Sequence, residues 1–272
     1  MNSKSTVTLN SGNKMPIIGI GTWDLTRQTA RTVAEALQLG FRMVDTSGDY
    51  GTQPGAGSGI RVSGIPRDQV YLVTKVEEDE DAYSSTRRSL EELKMTYADL
   101  MLIHRPPKKG YGKDLWKGLI RAREEGFVKD IGVSNYSIEQ IESLIESTGE
   151  IPAVNQIEWS PFGHSTEILE YCRDNGIVVQ AYSPLTHGQR LKDPNLKAIA
   201  DHYGKTPSQI LLRWNIELGV VPIVKASNPE HLAENVDIFD FELDNEDVEL
   251  LMKFNEGYSA LGGGSSHPAY SM

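Results

Sequence analysis

The stretch Met43-Val44-Asp45-Thr46-Ser47-Gly48-Asp49-Tyr50 decides how the rest of the chain is read. A short apolar run ends in a charge, and a turn through Gly48 then leads to a tyrosine. Two later stretches are built the same way: Val70-Tyr71-Leu72-Val73-Thr74-Lys75 and Leu100-Met101-Leu102-Ile103-His104. Continuous apolar runs are how strands of a parallel sheet read, because both of their faces are covered. Polar groups at the C-terminal ends of such strands are the usual seat of chemistry in a (β/α) barrel. Three successive strands end in an ionisable side chain, Asp45, Lys75 and His104, and Tyr50 follows the first of them, so these four are candidate active-site residues.

The alternation extends in both directions from this centre. Thr6 to Leu9 and Met15 to Ile18 flank an Asn/Gly-rich turn and read as a β-hairpin. Gly19 to Trp23 is a candidate first barrel strand, and Thr29 to Leu39 has helical spacing closed by Gly40. Further helices are expected over 83–94, 113–125, 137–147, 165–175 and 207–218, and another is expected to start at Asn228-Pro229-Glu230. Strands are expected over 130–134, 154–159, 177–183 and 220–225. Ser137 with Gln140 forms a capping box, and Thr206-Pro207 gives a cap with proline at the first helical position. Strict strand–helix alternation with short connections implies parallel strands and right-handed crossovers. About eight such units make a (β/α)8 TIM barrel with an N-terminal β-hairpin, one domain over 1–272. One segment fits poorly. Pro54, Gly55, Gly57 and Gly59 stand where the second barrel helix belongs, so a short helix starting near Ile60, or a mobile loop over 52–60, is expected. The tail, 257–272, with Gly262-Gly263-Gly264, reads as a flexible flap or frayed end.

Composition narrows the function. A net charge of -11 argues against a nucleic-acid surface, which needs clustered lysine and arginine. One cysteine, Cys172, excludes an internal disulfide framework and fits a reducing compartment. No apolar run approaches the roughly 20 residues that span a bilayer, and no signal peptide is evident. The expectation is a cytoplasmic protein, without membrane or nucleic-acid partners. The histidines at 164, 187, 202 and 267 have no metal-ligand spacing, and no metal is expected.

The four candidates form a coherent chemical set. A tyrosine with a normal pKa near 10 is a poor proton donor, and a neighbouring lysine ammonium is expected to lower that pKa. An aspartate on the same lysine keeps it charged and oriented, and a histidine nearby can donate to a substrate oxygen. Such a set protonates an oxygen that becomes negative during reaction. It holds no hydride donor, which a reduced cofactor must bring. Taken singly, each residue is more often a core or capping group. Lys75 alone could also be a Schiff-base lysine, giving a class I aldolase as an alternative.

Several stretches together resemble the aldo-keto reductases: Asp45-Thr46 through Tyr50-Gly51, Leu72 to Lys75, Leu102 to His104, Gly132 to Asn135 and Asn155-Gln156. Ala181 to Leu185 and Val221 to Lys225, continuing to Glu234-Asn235, add to the match, which runs in order from Gly21 to about Leu243. The resemblance implies a (β/α)8 barrel that binds NADPH and reduces aldehydes or ketones to alcohols, acting as a monomer. It makes Tyr50 the general acid, tuned by Lys75 and Asp45, with His104 orienting the carbonyl. It assigns Ser134, Asn135 and Gln156 to the nicotinamide carboxamide and Tyr182 to stacking on the ring, with Ser183 and Leu185 beside it. Gly21, Thr22 and Trp23, with Asp45, fall near the ribose; Trp23, Tyr50 and His104 frame the substrate. Lys225, Ala226, Ser227, His231, Glu234 and Asn235 fall at the adenosine-phosphate end. No Gly-x-Gly-x-x-Gly motif in strand–helix context exists, so a Rossmann mode is not expected.

The chain also departs from the pattern. Thr52-Gln53 replaces a common Asn-Glu pair, Ala226 a frequent serine, and His231 an arginine. A histidine grips a 2′-phosphate less firmly than a bidentate arginine, which leaves NADH as an alternative cofactor. A regulatory barrel that binds nucleotide with little turnover is a further alternative on the same fold.

Overall fold

Eight parallel strands close into a barrel in which each strand pairs with the next in sequence and the last of them pairs with the first barrel strand. The computed structural model describes residues 1–25 and 27–262. The barrel strands are β3 (Gly19–Gly21), β4 (Met43–Asp45), β5 (Tyr71–Val76), β6 (Ala98–Ile103), β7 (Val128–Ser134), β8 (Val154–Glu158), β9 (Val178–Tyr182) and β10 (Val221–Val224). Two strands before them, β1 (Thr6–Thr8) and β2 (Lys14–Pro16), form the antiparallel hairpin.

The helices are α1 (Thr29–Leu39), α2 (Gln53–Val62), α3 (Ala82–Leu93), α4 (Lys113–Glu124), α5 (Ile138–Thr148), α6 (Thr166–Asp174), α7 (Pro194–Tyr203), α8 (Pro207–Glu217), α9 (Pro229–Val236) and α10 (Asn245–Met252). Both capping devices read from the sequence are present, at Ser137 with Gln140 and at Thr206 with Gln209. The main apolar cluster lies between strands and helices, and includes the buried Trp116, Trp159 and Trp214.

A second cluster fills the barrel itself. Met43, Val73, Leu100, Leu102, Val154 and Ile223 meet inside it, together with Leu9 and Met15 of the hairpin. The hairpin therefore plugs the N-terminal end, tied down by Asn13 Nδ2 donating to Asp130 at 3.0 Å and Asn10 Nδ2 to Pro152 O at 3.0 Å. Side chains alternate along a strand, so residues two apart face the same way. Above the apolar layer, the next inward positions are Asp45 over Met43, Lys75 over Val73, His104 over Leu102, Gln156 over Val154 and Lys225 over Ile223. The same two-residue period that builds the core thus raises the polar set at the open end.

Three expectations need correction. The segment 52–60 is neither a loop nor a late-starting helix: α2 begins at Gln53, with Pro54 in its first turn. Its glycines serve close packing. A Cβ on Gly57 would lie 1.9 Å from Leu93 O of α3, on Gly59 2.6 Å from Ala30 O of α1, and on Gly55 2.6 Å from Thr29 Cβ. The helix–helix contact leaves no room for larger residues, and tertiary packing offsets the low intrinsic propensity. Second, two helices, α7 and α10, were not expected. In α7 the signals were in the sequence: Asp193 caps with bonds from Asn195 N and Leu196 N, and Leu196, Ile199 and Ala200 make the buried face. Third, the described part of the tail is docked. Glu158 accepts from Ser259 Oγ and Ala260 N, each at 2.6 Å, and Tyr258 N donates to Phe162 O. The remainder of the tail expectation, 263–272, lies outside the described residues.

Candidate active site

Asp45, Tyr50, Lys75 and His104 converge at the C-terminal end of the barrel. Lys75, 1% exposed, donates from Nζ to Asp45 Oδ1 at 2.7 Å and to Thr46 O at 2.9 Å. The other Asp45 oxygen accepts from Gln156 Nε2 at 2.8 Å. Tyr50 closes a short 3-10 turn, Gly48–Tyr50, that follows β4 and delivers its ring over this pair. Lys75 Nζ lies 5.0 Å from the ring centre. A buried ion pair is tolerable only when the remaining lone pairs and protons are satisfied. Here Gln156 and the Thr46 carbonyl do that.

The pKa directions revise one expectation. Burial disfavours a charged ammonium at Lys75, but the charges and hydrogen bonds of Asp45 and Tyr50 outweigh it, and its pKa rises. Burial also raises the Tyr50 phenol; the Lys75 charge pulls the other way without winning. The sequence predicted a lowered tyrosine pKa, because it shows the lysine and not the desolvation. Tyr50 therefore stays a protonated phenol well beyond neutral pH.

His104 sits edge-on to Tyr50, their ring centres 5.6 Å apart. Its backbone is fixed by His104 N donating to Val76 O at 2.8 Å and by Asn135 Nδ2 donating to His104 O at 3.0 Å. Its Nδ1 stands 2.8 and 2.9 Å from the two oxygens of Glu77, and 3.6 Å from Asp49 Oδ1. Arg105 reaches the same carboxylates, at 3.6 Å from Glu77 and 3.8 Å from Asp49. Asp49, Glu77 and His104 hold donor atoms within 4.8 Å of one another. Arg105 supplies the positive charge, and the set reads as an ion-pair network. Glu77 and Arg105 were not singled out from the sequence. The only signal was position: Glu77 lies two residues past Lys75 at the end of β5.

A cavity of about 640 Å³ opens above these residues, within the range of small-molecule sites. Its lining includes Gly21, Trp23, Asp45, Tyr50, His104, Ser134, Asn135, Gln156, Tyr182, Ser183, Leu185 and Lys225. Ser134 Oγ donates to Gln156 O at 2.8 Å, and Tyr182 OH to Asn135 Oδ1 at 2.8 Å. Asn135 and Ser183 have φ of 63° and 51° in the left-handed region. Non-glycine residues held there cluster at functional sites. At the rim, Trp23 stacks on His187 with centroids 5.6 Å apart, and Lys225 Nζ binds Asp24 Oδ2 at 2.9 Å. Asp24, Arg105 and His187 are cavity residues that the sequence reading missed.

The remaining expected cofactor residues lie off this cavity. Thr22 is buried, its hydroxyl 2.9 Å from that of Thr52. Ala226 is buried, whereas Ser227 and His231 are exposed around the start of α9. Glu234 accepts from Thr206 Oγ1 at 2.7 Å, and Asn235 is buried.

A parallel barrel with a buried Asp–Lys pair under a tyrosine and a histidine at its C-terminal mouth is the architecture of a (β/α)8 barrel enzyme. The comparisons with known proteins define it further. The model of the Aldo/keto reductase family matches residues 17–256. An aldo-keto reductase of Mycolicibacterium smegmatis is 41% identical over 257 residues, covering 92% of this chain and 94% of the relative. One from Mycobacterium marinum is 40% identical over 261 residues, covering 94% and 93%. Among solved structures, an aldo/keto reductase from Brucella melitensis superposes with a TM-score of 0.87 at 41% identity, covering 92% of this chain and 99% of that one. A Bombyx mori aldo-keto reductase in complex with NADP gives 0.91 at 32% identity, covering 99% of each. The chain belongs to the aldo/keto reductase family, and with it to the NAD(P)H-dependent oxidoreductases.

Proposed function

We propose that this protein reduces aldehydes or ketones to alcohols, using NADPH, with Tyr50 as the proton donor. The observation that carries the reading is the Lys75–Asp45 pair buried beneath the tyrosine. Tyr50 holds its proton at neutral pH, the form needed to give it away. As the proton leaves, the phenolate that develops lies beside a permanent ammonium in a low-dielectric site, where that attraction is strong. Asp45 keeps the ammonium oriented, and Gln156 holds the far carboxylate oxygen. His104 and Trp23 frame the carbonyl.

The lining fits a nicotinamide dinucleotide. An aromatic wall, Tyr182, stands beside the hydroxyl and amide groups of Ser134, Asn135 and Gln156, suited to a carboxamide. Lys225 offers positive charge toward the opposite rim, where a phosphate needs it; Ser227, His231, Glu234 and Asn235 belong to the same end. When bound, the cofactor supplies the hydride that no side chain here can. Structures of aldo-keto reductases with NADP or NADPH support this choice. NADH remains the second cofactor to test, because His231 stands where an arginine would grip the 2′-phosphate.

The aldolase alternative loses ground: a Schiff-base lysine must be a neutral, accessible amine, whereas Lys75 is buried and held as an ammonium. The reading also takes the enzyme to be a monomer in the cytoplasm, in keeping with a single thiol, Cys172, which burial pushes up to about 12. Deuterium transfer tests the reaction. Reduction of a panel of aldehydes and ketones with NADPH deuterated at the nicotinamide C4 should put one deuterium on the alcohol carbon. Binding of NADPH with no labelled alcohol from any carbonyl would instead favour the nucleotide-binding regulatory barrel.

A further inference from the structure

Glu77 decides which nitrogen of His104 carries a proton. Its two oxygens stand 2.8 and 2.9 Å from Nδ1, and Ser47 Oγ donates to Glu77 Oε1 at 3.0 Å, holding the carboxylate in place. A carboxylate can only accept, so Nδ1 must be the donor. The ring is held from two directions, by Glu77 at Nδ1 and by the edge-on contact with Tyr50. With Nδ1 committed, Nε2 is the nitrogen left to meet a substrate in the cavity. A neutral imidazole has one donor and one acceptor nitrogen. A neutral His104 therefore presents a bare Nε2, an acceptor that repels a carbonyl oxygen.

We infer that Glu77 is a positioning residue that keeps a proton on Nδ1 of His104, so that Nε2 can donate to a carbonyl oxygen only when the ring is the doubly protonated imidazolium. This rests on the reductase reading for its consequence, though not for the proton's position. Charged groups face the ring from several elements. Asp49 and Glu77 face Nδ1, and Arg105 sits on their outer side, also 3.9 Å from Glu78. Tyr50 lies against the ring edge and Lys75 lies below Tyr50, paired with Asp45; from β7 and β9, Asn135 and Tyr182 bring no charge. Burial works to raise the Glu77 carboxyl, but the hydrogen bonds and charges of His104, with Ser47 and Arg105, hold it below the usual range. Glu77 thus remains an acceptor through the neutral range.

The consequence is directional. Reduction needs a donor at Nε2 and is favoured on the acid side; alcohol oxidation can use the bare nitrogen and is favoured on the alkaline side. Burial raises the Tyr50 phenol above its ordinary range, so it adds no competing limb near neutral pH.

The test pairs a spectrum with a rate. Nitrogen NMR of histidine-labelled full-length protein, with His104 assigned through His104→Gln, reads the tautomer directly. In wild type the alkaline form should carry its proton on Nδ1; in Glu77→Ala it should shift toward Nε2. Carbonyl reduction by wild type should fall about tenfold per pH unit above the midpoint seen in that spectrum. In Glu77→Ala it should stay within about twofold over the same range, because a neutral ring then retains an Nε2 donor. An Nε2–H tautomer in alkaline wild type overturns the inference, even if wild type reduces carbonyls normally. An unchanged spectrum and pH profile in Glu77→Ala also overturns it. If Nδ1–H is seen while no carbonyl is reduced at any pH, the assignment to Glu77 is upheld and the reductase reading fails.

Discussion

Replacing Gly57 by alanine pits local propensity against packing, and the structure says which wins. In an exposed helix, alanine is favoured over glycine by about 1 kcal/mol. In α2 the added Cβ would stand 1.9 Å from the Leu93 carbonyl oxygen. Carbon–oxygen contacts of this kind normally sit at about 3.3–3.6 Å. Relief requires α2 and α3 to part by more than about 1 Å, with both backbones moving, since no flexible side-chain end can yield. Overpacking typically costs about 1–3 kcal/mol, and backbone against backbone belongs at the upper end. Subtracting the propensity gain leaves a net loss of about 2 kcal/mol. For a chain of this size that corresponds to a Tm lower by roughly 4–8 °C. Thermal unfolding followed by circular dichroism, with urea midpoints beside it, measures the loss. A Tm equal to or above wild type would refute the close α2–α3 contact as the reason glycine occupies this position.

Other outcomes follow from the same geometry. Lys75→Met leaves Asp45 buried with one charge unpaired, and should lower stability by about 3–5 kcal/mol in urea unfolding while abolishing turnover; undiminished stability would mean that the pair is not buried as described. His164 is buried between Trp159 and Trp214, with Nδ1 3.0 Å from Ser160 O, and burial lowers its pKa below 6.5. Its folded pKa being below the unfolded one, the unfolded chain binds the extra proton first, so stability is complete above about pH 6.5 and is lost as pH falls through the folded value. His164→Gln should flatten that acid limb of a Tm-against-pH series, and an unchanged limb would show that other groups cause it. Asp24→Ala frees Lys225 from its ion pair, and NADPH binding measured by fluorescence quenching should tighten a few-fold with NADH less affected; equal changes for both would place Lys225 away from the 2′-phosphate.

Much of the barrel is legible in the sequence, because a parallel strand buried on both faces has to be apolar throughout. That is why Leu72, Leu100 and Met101 announce their strands, and why Lys75 and His104 at the ends stand out. The two-residue period then places them above Val73 and Leu102 with no further information. What was not legible depends on neighbours distant in sequence. Gly55, Gly57 and Gly59 read locally as helix breakers, and only Leu93, Ala30 and Thr29 across the interface explain them. The sign of the Tyr50 shift was misread because a nearby lysine is visible in a sequence and burial is not. Glu77 hid in the acidic run 77–81, where a charge is normally solvated, until β5 and β6 brought it against His104. Asp24 escaped notice for a similar reason: its partner, Lys225, is 201 residues away.

The central claim is that Tyr50 delivers the proton. NADPH oxidation with a broad panel of aldehydes and ketones, compared between wild type and Tyr50→Phe, with NADPH binding measured on both, tests it most directly. The account predicts that the variant binds NADPH as wild type does and loses turnover by at least about 100-fold. Turnover retained in Tyr50→Phe at comparable cofactor affinity would contradict it, and the proton would have to come from another group.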